Sequence, residues 1–302
     1  MPSLSVVIPT YRRPHILKLC LRHLEAQTIA DELEVIVVSD GPDHETKNAV
    51  QTCNLQPARP NGRTAGRATC TYLEVPKSQQ GVARNFGVRH AHAPFILFIG
   101  DDMFLERDAC EKHLTAHQSP IANRQYANSP IAVLGFVTWD PVAEITPVMR
   151  WLEKSGWQFG YPMIHRYAHR FLPSGMQEHF TYTSNLSVPT EIARRFHFRE
   201  DVTLYGWEDV EWGLRMKKAG IRLFYEPDAK ALHHHHITLE QSLARMETLG
   251  TSLVHMARLS PAFRRKMSFW RLALQRMRSW SPTMAGMHRR AFLRGVRQTR
   301  GS

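Results

Sequence analysis

Phe95-Ile96-Leu97-Phe98-Ile99 is an apolar run that stops at Gly100 and two adjacent carboxylates, Asp101 and Asp102. Such a run reads as a parallel strand buried on both faces, and in open α/β sheets ligands sit where these strands end. Side chains alternate along a strand, so the two aspartates are not expected to turn into one core. One or both should meet solvent, a cation or a ligand. A solvated turn at a strand end accounts for the pair equally simply, and the rest of the chain has to decide.

Other segments feed the same edge. Leu4–Thr10 reads as a first strand closed by Pro9, which a mid-sheet position would not tolerate. From Pro14 onward Ile16, Leu17, Cys20, Leu21 and Leu24 recur at helical spacing, and Leu33–Val38 is a second buried strand running into Ser39-Asp40-Gly41. Strand, helix, strand at this spacing is a βαβ unit with a parallel pair, which puts Asp40 at the edge that carries Asp101 and Asp102. Residues 53–70, rich in Gly, Pro and Arg, read as a surface loop. Thr71–Val75 is a third strand, and Gly81–Val88 reads as a helix on which Arg84 is either a solvated charge or a ligand. A helix is expected around Glu106–His117 and a strand at Ile131–Val137. Trp151, Trp157, Phe159, Tyr161, Tyr167, Phe171, Phe180 and Tyr182 follow in one segment, as core filler or as platforms for sugar rings.

Tyr205–Arg215 opens a helix closed by Gly220. Acids in a first helical turn complement the helix dipole, which explains one carboxylate better than Glu208 and Asp209 together behind Gly206-Trp207. Ile221–Tyr225 reads as a strand, and in Ala231–Ile237 four histidines, His233 to His236, alternate two to each face. Thr238-Leu239-Glu240-Gln241 has capping-box spacing and begins a helix. Asn185-Leu186-Ser187 is a glycosylation signal only in a secreted protein and is set aside.

With 302 residues, 43% hydrophobic and 22% charged, the chain can bury a large core and is not expected to be disordered. The four scattered cysteines form no C-x-x-C pair and read as reduced cytosolic thiols. The start has no basic leader, and no window reaches the roughly 18 uncharged apolar residues of a membrane span, so a cytoplasmic placement is expected. Neither G-x-G-x-x-G nor a Gly-Lys-Ser/Thr loop occurs, which argues against a dinucleotide dehydrogenase and a P-loop enzyme. The net charge of +12 lies wholly after Glu247, where 12 Lys and Arg face no acid.

The pieces Val7-Ile8-Pro9-Thr10-Tyr11 with Arg12 and Arg13, Val38-Ser39-Asp40-Gly41, Gly81-Val82-Ala83-Arg84-Asn85, Phe98-Ile99-Gly100-Asp101-Asp102, Gly206-Trp207-Glu208-Asp209 and the tract from His233 together resemble the inverting, nucleotide-sugar-dependent family 2 glycosyltransferases. The resemblance covers about residues 4–238. It implies an α/β GT-A fold, a Rossmann-like, mainly parallel mixed sheet flanked by helices over 1–238, with a basic helical extension over 239–302. It implies Pro9, Thr10, Tyr11, Arg13, Asp40, Arg84 and Asp101 on the nucleotide sugar, a UDP-sugar foremost. Asp102 with His233 and His235 would hold Mn2+ or Mg2+, a cation suited to neutralising a departing diphosphate. Asp209 would be the general base, with Glu208 beside it, and Trp207 and Glu208 would frame the pocket of a glycan or lipid-linked acceptor. The family commonly has acid-x-acid where this chain has Gly100-Asp101-Asp102, which leaves open which oxygen reaches the metal.

In the tail, Phe263, Met267, Trp270, Leu274, Met277 and Trp280 recur at steps of four and three among arginines, as in an amphipathic cationic helix. Such a helix lies on an anionic membrane, here the inner face of the cell membrane, or packs on the protein's own body. Two other functions compete: nucleic-acid binding through the tail, disfavoured because it leaves the acidic sheet edge unexplained, and a catalytically inactive sugar-binding relative.

Overall fold

The computed structural model describes residues 1–53, 69–118, 130–202 and 204–300; nearly all of the expected surface loop at 53–70 lies outside them. Strands β1 Leu4–Thr10, β2 Leu33–Asp40, β3 Thr69–Val75, β4 Phe95–Ile99, β5 Met103–Leu105, β6 Ile131–Trp139, β7 Arg170–Phe171, β8 Asn185–Pro189 and β9 Arg222–His233 share one mixed sheet. Its order is β3-β2-β1-β4-β8-β6-β9-β5, with β7 beside β9. The helices are α1 Pro14–Glu25, α2 His44–Gln51, α3 Gln80–His90, α4 Ala109–Gln118, α5 Pro147–Ser155, α6 Tyr161–Ile164, α7 Thr190–Arg195 and α8 Glu208–Lys218. Then come α9 Leu239–Leu259, α10 Pro261–Lys266, α11 Phe269–Arg278 and α12 Met284–Arg300.

Strands β3, β2, β1 and β4 are parallel neighbours, with β1, β2 and β4 buried almost throughout and β3 half-exposed at the edge. Leu4, Val6, Val7 and Ile8 of β1 are fully buried, and α1 lays Leu17, Cys20, Leu21 and Leu24 on the core. Each such aliphatic side chain contributes about 1.5–3 kcal/mol. Pro9 does not close β1 but lies within it, opposite Val38. Pairing with β4 stops at Val7, so Pro9 sits where one side of the strand has no ladder to break. The expected strand at Ile221–Tyr225 runs on as β9 to His233. It stays paired to β6 through a register shift between Gly135 and Phe136, and Pro227 falls inside the irregularity. Strand β8, set aside as a glycosylation signal, is a buried antiparallel partner of β4.

A buried polar cluster fastens α4 to this irregular stretch. The His113 ring nitrogens lie 2.9 Å from Ser187 Oγ and 2.9 Å from Asn185 Oδ1, and His117 Nε2 lies 2.9 Å from Ser187 Oγ. The Asn185 amide donates to the carbonyls of Phe136 and Ala229, one on each of the two strands at the shift. Burial keeps both imidazoles neutral: the His113 pKa is lowered to about 4 and that of His117 to about 3. The unfolded chain therefore takes up protons below about pH 6.5 that the folded chain refuses, so stability should fall with acidification. At pH 5 each histidine should remove about 2 kcal/mol. Melting curves between pH 7.5 and 5 test this; a His113→Gln variant should show a shallower decline, and an unchanged slope would refute the assignment.

The basic extension is not one helix. It breaks into α10, α11 and α12, with Phe263 of α10 fully buried while Trp270, Leu274, Met277 and Trp280 are exposed. The backbones of α9 and α12 touch, because a Cβ on Gly250 would overlap the Phe292 carbonyl and one on Gly295 the Glu247 carbonyl. Among the described residues no helix is long and apolar enough to cross a membrane.

Candidate active site

Gly100, Asp101 and Asp102 follow β4, and the chain turns at the two aspartates and leaves to pair β5 antiparallel with the end of β9. Met103 faces His233 in that register, and the His234 amide donates to the Asp102 carbonyl at 2.9 Å. This short pairing carries the acidic turn to the histidine tract. Asp102 Oδ2 lies 3.4 Å from His233 Nε2 and 3.4 Å from His235 Nδ1. The three potential ligand atoms all fall within 4.8 Å of one another. His234 points elsewhere, its Nδ1 2.6 Å from Asp140 Oδ2 and its ring stacked on Phe104. The expected pairing of His233 with His235 therefore appears, although the strand ends at His233. His233 stacks at 5.1 Å on Trp139, meets the edge of Phe159, and keeps its buried Nδ1 without a hydrogen-bond partner among the described residues. Trp139 and Asp140 escaped the sequence reading. Their signal was there, an apolar strand ending at an acid as in β4.

The strand-alternation argument fails at the aspartates, because they occupy a turn rather than a strand. Both are buried, and neither faces solvent: exposures are 3% for Asp101 and 8% for Asp102. Arg13, immediately before α1, donates to both carboxylates, and the Thr10 hydroxyl donates to Asp101 Oδ2 at 2.7 Å. Burial alone would raise the Asp102 pKa, but hydrogen bonds from His233 and His235 and the Arg13 charge hold it well below the ordinary carboxylate range. For Asp101 burial prevails over Arg13 and Thr10 and moves its pKa upward. Asp102 is thus the firmly ionised member. One carboxylate and two imidazoles form a mixed oxygen and nitrogen donor set that fits a divalent transition ion such as Mn2+ better than Mg2+, which favours oxygen alone.

At the end of β2, Asp40 accepts from Lys77 Nζ at 2.6 Å and from the Ser78 amide at 2.6 Å. Lys77 also caps the face of Tyr11, which is 42% exposed at the rim. Pro9, Thr10, Tyr11, Arg13, Asp40 and Asp101 therefore share the carboxyl edge of β1, β2 and β4.

A second acidic group enters on α8. Gly206 and Trp207 both have left-handed backbone, φ +96° and +71°, which is unfavourable for the tryptophan and has to be imposed by its surroundings. The restraint comes from the C-terminal helices. The Trp207 indole donates to the Leu249 carbonyl at 2.9 Å, Ser252 Oγ donates to the Gly206 carbonyl, and Phe263 packs against the indole. Trp207 was expected at an acceptor pocket, yet its side chain is committed to this seam. Arg84 is not solvated either. It is 4% exposed, with Nη1 3.8 Å from Glu208 Oε1, and Gln80 bridges Arg84 and Glu208. Arg84 Nε and Nη1 and Glu208 Oε2 are buried without hydrogen-bond partners among the described residues, which leaves polar capacity unused inside the site.

Asp209 accepts only from the Val210 amide, at 2.8 Å, among the hydrogen bonds described for its carboxylate. Burial, then the charge of Glu208, pushes its pKa up to about 7, against the pull of the Val210 amide and Arg84. That is the range a proton acceptor needs near neutrality. Tyr182 feels the charge of Asp209 and lies 5.7 Å, ring to ring, from Phe159, which itself abuts His233. The adjoining Thr181 hydroxyl donates to the Asp209 carbonyl at 2.8 Å, so the 151–182 segment touches the first turn of α8 and, through Phe159, the Asp102–His233–His235 cluster. The segment supplies core packing as well, with Tyr161 and Phe180 buried.

This architecture, a mixed sheet carrying its acids at one edge, is the GT-A glycosyltransferase fold. The mannosyltransferase PcManGT from Pyrobaculum calidifontis, solved with GDP-Man and Mn2+, aligns over 98% of this chain and 75% of its own with a TM-score of 0.59 at 17% identity. S. aureus TarS 1–349 with UDP aligns over 99% and 90% with a TM-score of 0.55 at 13% identity. Residues 5–130 match the family model Glycosyl transferase family 2, so this stretch of the chain is similar to that family. Validoxylamine A glucosyltransferase of Streptomyces hygroscopicus subsp. jinggangensis is 29% identical over 238 residues, 73% of this chain and 53% of the relative. The GalNAc(5)-diNAcBac-PP-undecaprenol beta-1,3-glucosyltransferase of Campylobacter jejuni is 32% identical over 102 residues, 34% and 30%. The chain spans about half the length of the two validoxylamine A glucosyltransferases it matches.

Proposed function

We propose that the protein transfers a glycosyl group from a nucleoside-diphosphate sugar to an acceptor hydroxyl with inversion. The observation that carries this reading is that one segment, 151–182, holds Asp209, a carboxyl with a pKa of about 7, through Thr181 and packs Phe159 on His233, part of an ionised carboxylate flanked by two imidazoles. The acceptor oxygen attacks the anomeric carbon as Asp209 takes its proton. The bond from that carbon to the diphosphate oxygen breaks, its electrons leave with the nucleoside diphosphate, and a single displacement from the opposite face inverts the centre. Asp102, His233 and His235 would hold a divalent cation, whose chemistry there is neutralisation of the departing diphosphate. Arg13 keeps Asp101 and Asp102 in place, and Asp40 with Tyr11 and Lys77 borders the position of the nucleotide. Arg84, with orphaned donors beside Glu208, is poised for an anionic or hydroxyl-rich ligand. A lipid-linked or envelope saccharide is the acceptor class we favour, a choice supported by the lipid-linked substrate in the name of the Campylobacter relative.

Thermal-shift screening of UDP-, GDP- and dTDP-sugars with and without Mn2+ tests the donor assignment. A donor bound at about 100 times its Kd should add about 2.7 kcal/mol of stability. We expect a UDP-sugar to raise Tm, and more so with Mn2+. No shift with any nucleotide sugar would refute the proposal.

A further inference from the structure

Helix α11 presents an apolar face to solvent that nothing among the described residues covers. Phe269 is 75% exposed, Trp270 79%, Leu274 41% and Met277 69%, and Trp280 just beyond the helix is 82% exposed. At about 100° per residue the four helical positions fall within one arc of about 140°. Arg276 borders that arc on one side and Arg271 and Arg278 on the other. The opposite side faces the protein, where Gln275 accepts from Arg289 of α12. Next to the arc, Arg276, Trp280, Arg290, Arg294 and Arg297 line an open cleft of about 520 Å3. Arg290 and Arg294 are partly engaged, by the Ser279 and Ser281 carbonyls and by Glu247, while Arg276 and Arg297 have no acidic partner among the described residues.

We infer that α11 and the adjoining arginine cleft form a docking surface for an anionic lipid bilayer. An apolar arc with cationic margins matches the boundary between acyl chains and headgroups, where aromatic and aliphatic side chains enter and arginines grip phosphates. A second copy of this chain fits poorly, since pairing the face with itself would bring arginines together. A nucleic acid would use the arginines and could stack on Trp270, but it leaves Leu274 and Met277 without a partner. The surface is fastened to the catalytic side of the molecule: α10, directly before α11, supplies the Phe263 that packs on Trp207, two residues from Asp209. The bilayer would therefore lie beside the start of α8, which carries the proposed base. The inference stands without the transfer reaction, and its failure would leave the donor-binding experiment unaffected.

Flotation of the full chain with vesicles tests it. Wild-type protein should partition at least tenfold more strongly onto one part phosphatidylglycerol in two parts phosphatidylcholine than onto phosphatidylcholine alone, with a blue shift in tryptophan emission. High salt should weaken the anionic preference. Trp270→Glu with Met277→Glu, at exposed positions, should reduce partitioning at least tenfold with an unchanged melting temperature, and Arg276→Glu with Arg297→Glu should erase the preference for anionic lipid. Equal binding to both vesicles, no flotation, or unaffected variants would overturn the proposal. Tighter binding to single-stranded RNA than to vesicles, lost in the same variants, would overturn it in favour of a nucleic-acid surface.

Discussion

Replacing Asp209 by asparagine should lower kcat by about 10²–10⁴-fold while leaving donor affinity nearly intact, because the substitution removes a proton acceptor and little else. The amide is isosteric, and the Val210 hydrogen bond to the side-chain oxygen can persist. The pH profile separates this role from a structural one. An acceptor must be ionised to work, and burial beside Glu208 places the Asp209 pKa at about 7. In the wild type kcat/KM should therefore rise about tenfold per pH unit below about 7 and level off above it. The residual activity of the variant should lose that limb. Removing the neighbouring negative charge with Glu208→Gln should move the limb to lower pH. An Asp209→Asn enzyme of near wild-type rate would end the assignment.

The second large effect is expected at the acidic turn. Asp102→Asn should reduce kcat/KM by about 10³-fold, since several kcal/mol of charge stabilisation depend on holding the cation, and each 1.36 kcal/mol is a factor of ten. Titration with Mn2+ should show a matching loss of affinity, and added Mn2+ should restore little activity. Asp101→Asn should be milder. Asp101 is bound by Thr10 and Arg13 and does not face the imidazoles, so its loss should loosen Arg13 rather than remove a ligand. Equal effects of the two substitutions on Mn2+ affinity would show that the pair, not Asp102, holds the ion.

Much of this was legible in the chain because its signals are local. Short, mostly apolar runs at 4–8, 33–38 and 95–99, broken only by Ser5 and Glu34, read as strands covered on both faces, and the helix between the first two makes a parallel pair. The positions of Asp40 and Asp101 at one sheet edge follow directly. The phase of the tract from His233 separated His233 and His235 from His234 even though the strand stopped early, because an extended chain alternates with or without a ladder partner.

What stayed hidden depends on contacts between distant residues. Nothing near Trp207 in sequence reveals that Leu249, Ser252 and Phe263 hold its strained backbone. Nothing near Arg84 announces its burial against Glu208, more than a hundred residues away. The tail's periodicity also misled, since a regular apolar spacing does not say which side chains a body will cover; Phe263 turned inward and Trp270 did not.

Sequence alone determined the sheet edge, the residue types gathered on it and the cationic character of the extension, because strand burial, helix period and charge are properties of short stretches. Tertiary structure decided that β5 crosses to the end of β9, that Arg13 spans both aspartates, and that the half-buried Asp209 packs beside Glu208, with its pKa raised to about 7. Register and desolvation are set by whatever the fold packs alongside a residue, and no local pattern encodes that neighbour.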